Sequence, residues 1–178
     1  MSSFKYVIVS KDDKFSLGTK TEIEALATSD RVVKCISNNT KSLPDVYNSE
    51  IDAGFDYVVL MHADVKLDIA SLESHVTAVA DKYDVIGLCG TSIMNVSQSP
   101  LNWWTGSNPT PQSKWGCVCH GELGNQVSYF SAHSPTTLDH EVACIDGLCI
   151  ILTKKAILSG LRFDPLFKYD FYDSDISF

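Results

Sequence analysis

The chain has 178 residues, 44% of them hydrophobic, enough to bury a sizeable core, and a single domain over 1–178 is predicted. A formal net charge of −8 weighs against a general nucleic-acid binder, which would present a basic face. No stretch approaches the roughly 20 apolar residues of a membrane span, and the short apolar run after Met1-Ser2-Ser3-Phe4-Lys5 is no signal peptide, so a cytoplasmic protein is expected, working in solution or at the cytosolic face of a membrane.

Tyr6-Val7-Ile8-Val9-Ser10 reads as a first buried strand, followed by the polar turn Lys11-Asp12-Asp13-Lys14. Ile23, Leu26 and Ala27 share one face of a helix over 21–28, and a second strand over 31–37 runs into Ser37-Asn38-Asn39-Thr40. Leu43, Val46, Tyr47 and Ile51 fall at helical spacing, with Gly54 as the expected stop. Tyr57-Val58-Val59-Leu60-Met61 is apolar throughout, as in a strand buried on both faces, and it ends on His62 and Asp64. In an open α/β sheet the carboxyl ends of strands are where ligands bind, so a carboxylate delivered there is placed for chemistry; the competing reading is that Asp64 caps the next helix. That helix carries Ile69, Leu72, Val76, Val79 and Tyr83 on its inner stripe, and a fourth strand follows over 84–88.

This βαβαβαβ order predicts an α/β fold with a mostly parallel central sheet and helices on both faces. From Gly90 to about Asn125 the character changes: the segment is rich in Ser, Asn, Pro and Gly and holds Trp103, Trp104 and Trp115, which predicts a long loop whose aromatic rings stack on a ligand or pin the loop to the body. Cys117-Val118-Cys119-His120 has ligand-like spacing but no second pair to complete a structural zinc site. The stretch 141–152 reads as a strand, a tight turn at Asp146-Gly147, then a strand or the entry to a buried helix. A short helix is expected over 154–160, and then a tail dense in aromatics and carboxylates that includes Asp173 and Asp175.

Two carboxylate clusters, one at Asp64 and one at Asp173 and Asp175, flank Asp146-Gly147, where a glycine permits close backbone approach. One carboxylate holding a hard cation and a second acting as general base is what metal-assisted group transfer needs. A metal-dependent phosphohydrolase using Asp64 and Asp175 is a weaker reading, because such sites gather several His and Asp ligands around two metals.

In order, Val9-Ser10, Ser37-Asn38-Asn39, Asn48, Leu60-Met61-His62-Ala63-Asp64-Val65, Val85-Ile86-Gly87-Leu88-Cys89-Gly90-Thr91, Trp103-Trp104, Ile145-Asp146-Gly147, Arg162-Phe163-Asp164 and Phe171-Tyr172-Asp173-Ser174-Asp175 resemble a nucleotide-sugar glycosyltransferase of the GT-A fold, in the broad family 2-like group. The resemblance covers nearly the whole chain and rests on the order of motifs that are individually weak. It implies transfer of a sugar from a nucleoside diphosphate donor (UDP-, GDP- or dTDP-linked) to a glycan, lipid-linked or protein hydroxyl, with inversion and with Mn²⁺ or Mg²⁺ as cofactor. It assigns Val9, Ser10, Ser37, Asn39, Asn48, His62 and Ala63 to the nucleotide. Asp64 matches the last aspartate of the family's Asp-x-Asp metal motif, whose first position is His62 here, with an open role. Trp104, Asp146, Gly147 and Tyr172 fall on the sugar and acceptor side. Asp173 matches the catalytic base of a Glu-Asp pair in which Tyr172 replaces the glutamate, and Asp175 is the reserve candidate, two residues on along a segment expected to be extended. Family members continue past this base with an arginine-containing helix and often a later histidine, so the alternative is a catalytically incomplete nucleotide-sugar binding domain.

Overall fold

The computed structural model describes residues 2–12, 17–25, 30–92, 114–121, 127–131 and 139–177. The first half alternates as expected: β1 (Phe4–Val9), α1 (Leu17–Ala25), β2 (Arg31–Ile36), α2 (Leu43–Glu50), β3 (Tyr57–His62), α3 (Ile69–Val79) and β4 (Val85–Gly87). The second half comprises the short strands β5 (Gly90–Thr91), β6 (Lys114–Trp115), β7 (Cys117–His120), β8 (Val127–Ser131) and β9 (Cys144–Ile145), then β10 (Cys149–Thr153), α4 (Lys154–Leu158) and α5 (Tyr172–Asp175).

The main sheet has five strands in the order β2-β1-β3-β10-β4. β1 runs parallel to β2 and β3, whereas β10 lies antiparallel to both β3 and β4. The sheet is therefore mixed, and the expectation of a mostly parallel sheet holds only for β1 to β3. The reason lies in Cys149–Thr153, buried at all five positions: such a run signals a central strand but carries no direction, and here it enters between β3 and β4 from the opposite end.

Side chains alternate across the sheet with the period of two that strands impose. Tyr6, Ile8, Val59, Met61, Cys149 and Ile151 face one layer, closed by Ile23 of α1 and Ile69, Leu72 and Val76 of α3. Val7, Val9, Val58, Leu60, Ile150 and Leu152 face the other, closed by Val46 and Tyr47 of α2, Ile157 of α4, and Phe163, Tyr172 and Ile176. At about 1.5–3 kcal/mol for each fully buried aliphatic side chain, these two layers are the main source of stability.

Two buried glutamates lock helices to the edge where the strands begin. Glu73 of α3 accepts from Arg31 Nε (2.7 Å) and Nη2 (2.6 Å) and from the Tyr6 hydroxyl (2.8 Å). Glu50 of α2 pairs with Lys34 (2.6 Å) and Lys5 (3.3 Å). Both pairings lie away from the opposite edge, where the strands end.

Several boundaries differ from the sequence reading. α2 stops at Glu50, because Ile51 turns extended and buries its side chain, and Gly54 instead donates to Asp52 Oδ1 in a local turn. α3 ends at Val79, leaving Tyr83 beyond the helix. Asp68, not Asp64, caps α3, accepting from Ser71 N–H at 3.1 Å, so the capping explanation of Asp64 falls away. The segment after Gly90 is not one long loop, since β5 pairs with β6 and β9 in a three-stranded sheet and β7 pairs with β8. Trp103 and Trp104 lie outside the described residues.

Candidate functional site

The site is built on register. Val9 pairs with Ile36 on one side and with His62 on the other, so the carboxyl ends of β1, β2 and β3 finish level. The next residues on each strand, Ser10, Ser37 and Ala63, therefore open onto one edge. Ser10 is nearly buried; its N–H donates to Ile36 O (2.9 Å), and its own carbonyl accepts from Asn39 N–H (3.0 Å). These bonds tie the β1 end to the turn after β2, where Asn38 takes a left-handed conformation (φ 51°). Asn39 folds its side chain onto Lys41, receiving from its N–H at 3.1 Å and donating to its carbonyl at 2.8 Å.

Asp64 sits in the exposed turn after β3 and makes no hydrogen bond or ion pair among the described residues. Across the edge, α5 is a single turn of helix rather than an extended segment, entered through Phe171 in a left-handed conformation (φ 66°). The only two non-glycine residues with positive φ among those described, Asn38 and Phe171, thus border the same edge, and strained backbone of this kind collects at functional sites.

The helical turn separates the two candidate bases, because residues i and i+2 point to nearly opposite sides of a helix. Asp173 Oδ2 accepts from Gly147 N–H (3.0 Å) and Oδ1 from Ser174 N–H (2.8 Å). Asp175 turns away and accepts from Asp164 N–H (3.1 Å), which corrects the expectation that the two share a direction. Burial pushes the Asp173 carboxyl above the usual aspartate range, against the pull of its backbone donors and of nearby His62.

Tyr172 joins the two halves. It is 4% exposed, and its hydroxyl lies 2.9 Å from His62 Nε2 and 3.3 Å from Gly147 O. Burial drives its pKa far up, so it is a neutral hydrogen-bonding group. A Cβ on Gly147 would overlap that hydroxyl and come within 2.7 Å of Cζ, so the position requires glycine for close packing. Asp146 holds the same turn through Leu148 N–H (2.8 Å). Serines fasten α5 to β9: Cys144 Sγ meets Ser174 Oγ at 3.3 Å, and Ser177 Oγ accepts from Ile145 N–H at 3.2 Å while donating to Asp173 O at 2.7 Å.

The structure thus brings together the ends of β1, β2 and β3 with Asp146, Gly147, Tyr172 and Asp173. Asn48 stands apart, its amide donating to Phe163 O (2.8 Å) and accepting from Phe163 N–H (3.0 Å). This clamp holds the chain leading to α5 and engages both ends of the amide. Trp104 lies outside the described residues, as do the side chains of Cys117, Cys119 and His120. Two features had no signal in the sequence. The His62–Tyr172 contact spans 110 residues, and the Tyr47 hydroxyl, fully buried beside Tyr172 (ring centroids 6.0 Å apart), has no partner among the described residues.

Among the described residues, no three or more His, Cys, Asp or Glu side chains gather as a metal site, and no helix is long and apolar enough to cross a membrane. No family model matches the chain, and no curated protein does. A solved structure titled "Crystal Structure of A197 from STIV" is similar at a TM-score of 0.49 and 11% identity, over 98% of this chain and 78% of that one. A likeness this distant carries no functional argument.

Proposed function

We propose that this chain is a glycosyltransferase of the GT-A fold, moving a sugar from a nucleoside diphosphate donor to a hydroxyl acceptor with inversion. The observation that carries the reading is the level edge formed by Val9, Ile36 and His62, with a half-buried carboxylate, Asp173, held opposite it by the backbone of Gly147. Ser10 and the Ser37–Asn39 turn then receive the base and ribose, and the Asp146-Gly147 turn lies on the sugar side. Asp173 takes the proton of the acceptor hydroxyl as its oxygen bonds to the anomeric carbon and the nucleoside diphosphate departs. A raised carboxyl pKa suits that role, since a stronger base accepts the proton more readily.

The donor set fits Mn²⁺ or Mg²⁺. Such ions take one or two protein carboxylates and complete their shell with substrate phosphates and water, and Asp64 is an exposed carboxylate with no competing partner among the described residues. When bound there, the ion neutralises charge on the leaving diphosphate.

A thermal-stability screen of UDP-, GDP- and dTDP-sugars with and without Mn²⁺ tests the reading. One class of donor should stabilise the protein only with the metal, by about 2.7 kcal/mol at a hundredfold excess over Kd. Asp64→Ala should lose that increment, and Asp173→Asn should bind the donor without turning it over. Metal-independent binding, or none, sinks the proposal; metal-dependent binding with no turnover by the wild type identifies a non-catalytic binding domain instead.

A further inference from the structure

We propose that His62 is a positioning residue for Asp173, acting from β3 through the Tyr172 hydroxyl and the Gly147 backbone. What Asp173 does rests on the transferase reading; the brace itself does not.

The brace gives each group one part. A tyrosine hydroxyl has one proton and can also accept. Donated to Gly147 O at 3.3 Å, that proton leaves the Tyr172 oxygen to accept from His62 Nε2–H at 2.9 Å. Gly147 is then held at both of its backbone groups, with its carbonyl on Tyr172 and its N–H on Asp173 Oδ2. The ring of Tyr172 cannot drift, because it packs against Tyr47 and Phe163, each with centroids 6.0 Å away, and fills the space a Cβ at 147 would need. Three distant parts of the chain therefore close into one circuit at the residue proposed as base.

The circuit also accounts for the histidine. An aspartate at position 62 would be shorter and, when ionised, could only accept, so it could not donate to Tyr172 while Tyr172 donates to Gly147. An imidazole supplies both reach and donor. On this account Asp64 serves the cation side of the edge, and His62 serves the base side.

The test uses the whole chain without ligand. In isotopically labelled protein, the exchange protection of the Gly147 amide and the carboxyl titration of Asp173 are followed in His62→Leu, His62→Gln and Tyr172→Phe. His62→Leu and Tyr172→Phe should each lower Gly147 protection about tenfold, the size of one lost hydrogen bond. They should also move the Asp173 midpoint further up, because a donor to the ionised form is loosened. His62→Gln, which can present an N–H near the Nε2 position, should retain the Gly147 protection, while its Asp173 midpoint still rises because the pull of His62 is lost. Amides of β1 serve as the control for global unfolding, and if His62→Leu fails to fold, the other two variants decide. Wild-type Gly147 protection in His62→Leu, or a His62→Gln variant that loses it likewise, overturns the brace. A parallel calorimetric arm uses UDP, GDP and dTDP with Mn²⁺. Loss of nucleotide binding by His62→Leu with an undisturbed Gly147 amide makes His62 a ligand and refutes the proposal. If the wild type binds none of the three, the transferase reading falls while the Gly147 measurement still decides the brace.

Discussion

Replacing Gly147 by alanine places a methyl group where the Tyr172 hydroxyl already stands, 2.7 Å from Cζ of the ring. Either the ring moves or the backbone does. The ring is 4% exposed and wedged between Tyr47 and Phe163, so its displacement overpacks the layer beneath the candidate site, at about 1–3 kcal/mol. A backbone shift instead weakens Gly147 N–H on Asp173 and the Tyr172 bonds to Gly147 O and His62, at about 1 kcal/mol each. Both routes lead to a loss of about 1–3 kcal/mol, or a fall in Tm of roughly 2–12 °C for a chain of this size. Urea unfolding at pH 7 measures it. The double variant Gly147→Ala with Tyr172→Phe removes the overlapping oxygen but not Cζ, so it should recover part of the loss, with a coupling energy of at least about 0.5 kcal/mol. A Gly147→Ala protein within 0.5 kcal/mol of wild type would refute the close-packing argument.

Three further outcomes follow from bonds elsewhere. Asn48→Asp removes the donor to Phe163 O and sets a carboxylate against that carbonyl, so it should cost about 2–3 kcal/mol in urea unfolding even without nucleotide; a loss seen only in ligand binding would contradict the clamp. Glu73→Gln breaks the two-pronged bond to Arg31 and weakens the acceptor for Tyr6, with an expected loss of about 2–3 kcal/mol, tempered by the partial exposure of Arg31, and no change at the strand-end edge. Two aspartates should give opposite pH signatures. Asp173 is raised by burial, so its contribution to stability is present below the ordinary aspartate value and is lost as pH rises through its folded value. Asp56 is lowered by the Ser3 N–H and hydroxyl, so its contribution is present above the ordinary value and is lost as pH falls through its folded value. Relative to wild type, Asp173→Asn should therefore gain stability between pH 4 and pH 7, while Asp56→Asn should lose it; chemical denaturation at both pH values reads the two signs.

The strands β1 to β3 are legible because each is an apolar run that stops on polar residues, and a parallel sheet needs runs of that kind. The position of Asp64 at a strand end follows from the same pattern. The direction of Cys149–Thr153 is not legible, since a fully buried run looks alike from both ends and its pairing is decided by chain that is distant in sequence. The one-turn helix at Tyr172–Asp175 is hidden for another reason: alternating aromatics and carboxylates suggest an extended segment, whereas Phe171 turns left-handed and starts a helix. Asn48 shows the limit of motif order, since its place in the series suits a nucleotide ligand while its amide closes on Phe163. Contacts such as His62 with Tyr172 leave no local trace at all.

The antiparallel strand inside the sheet, β10, also shapes how the chain is made. β3 and β4 each need β10 as a neighbour, yet β10 begins at Cys149, long after β4 ends at Gly87. While the ribosome extends the chain, the first three strands can pair, but one edge of β3 stays open, apolar and without its ladder. Insertion of β10 into that gap is then the step that closes the sheet, and its long sequence separation makes it slow. Chains arrested before Thr153 should accumulate as aggregates or as chaperone-bound species, whereas chains extended past the end of α4 should not.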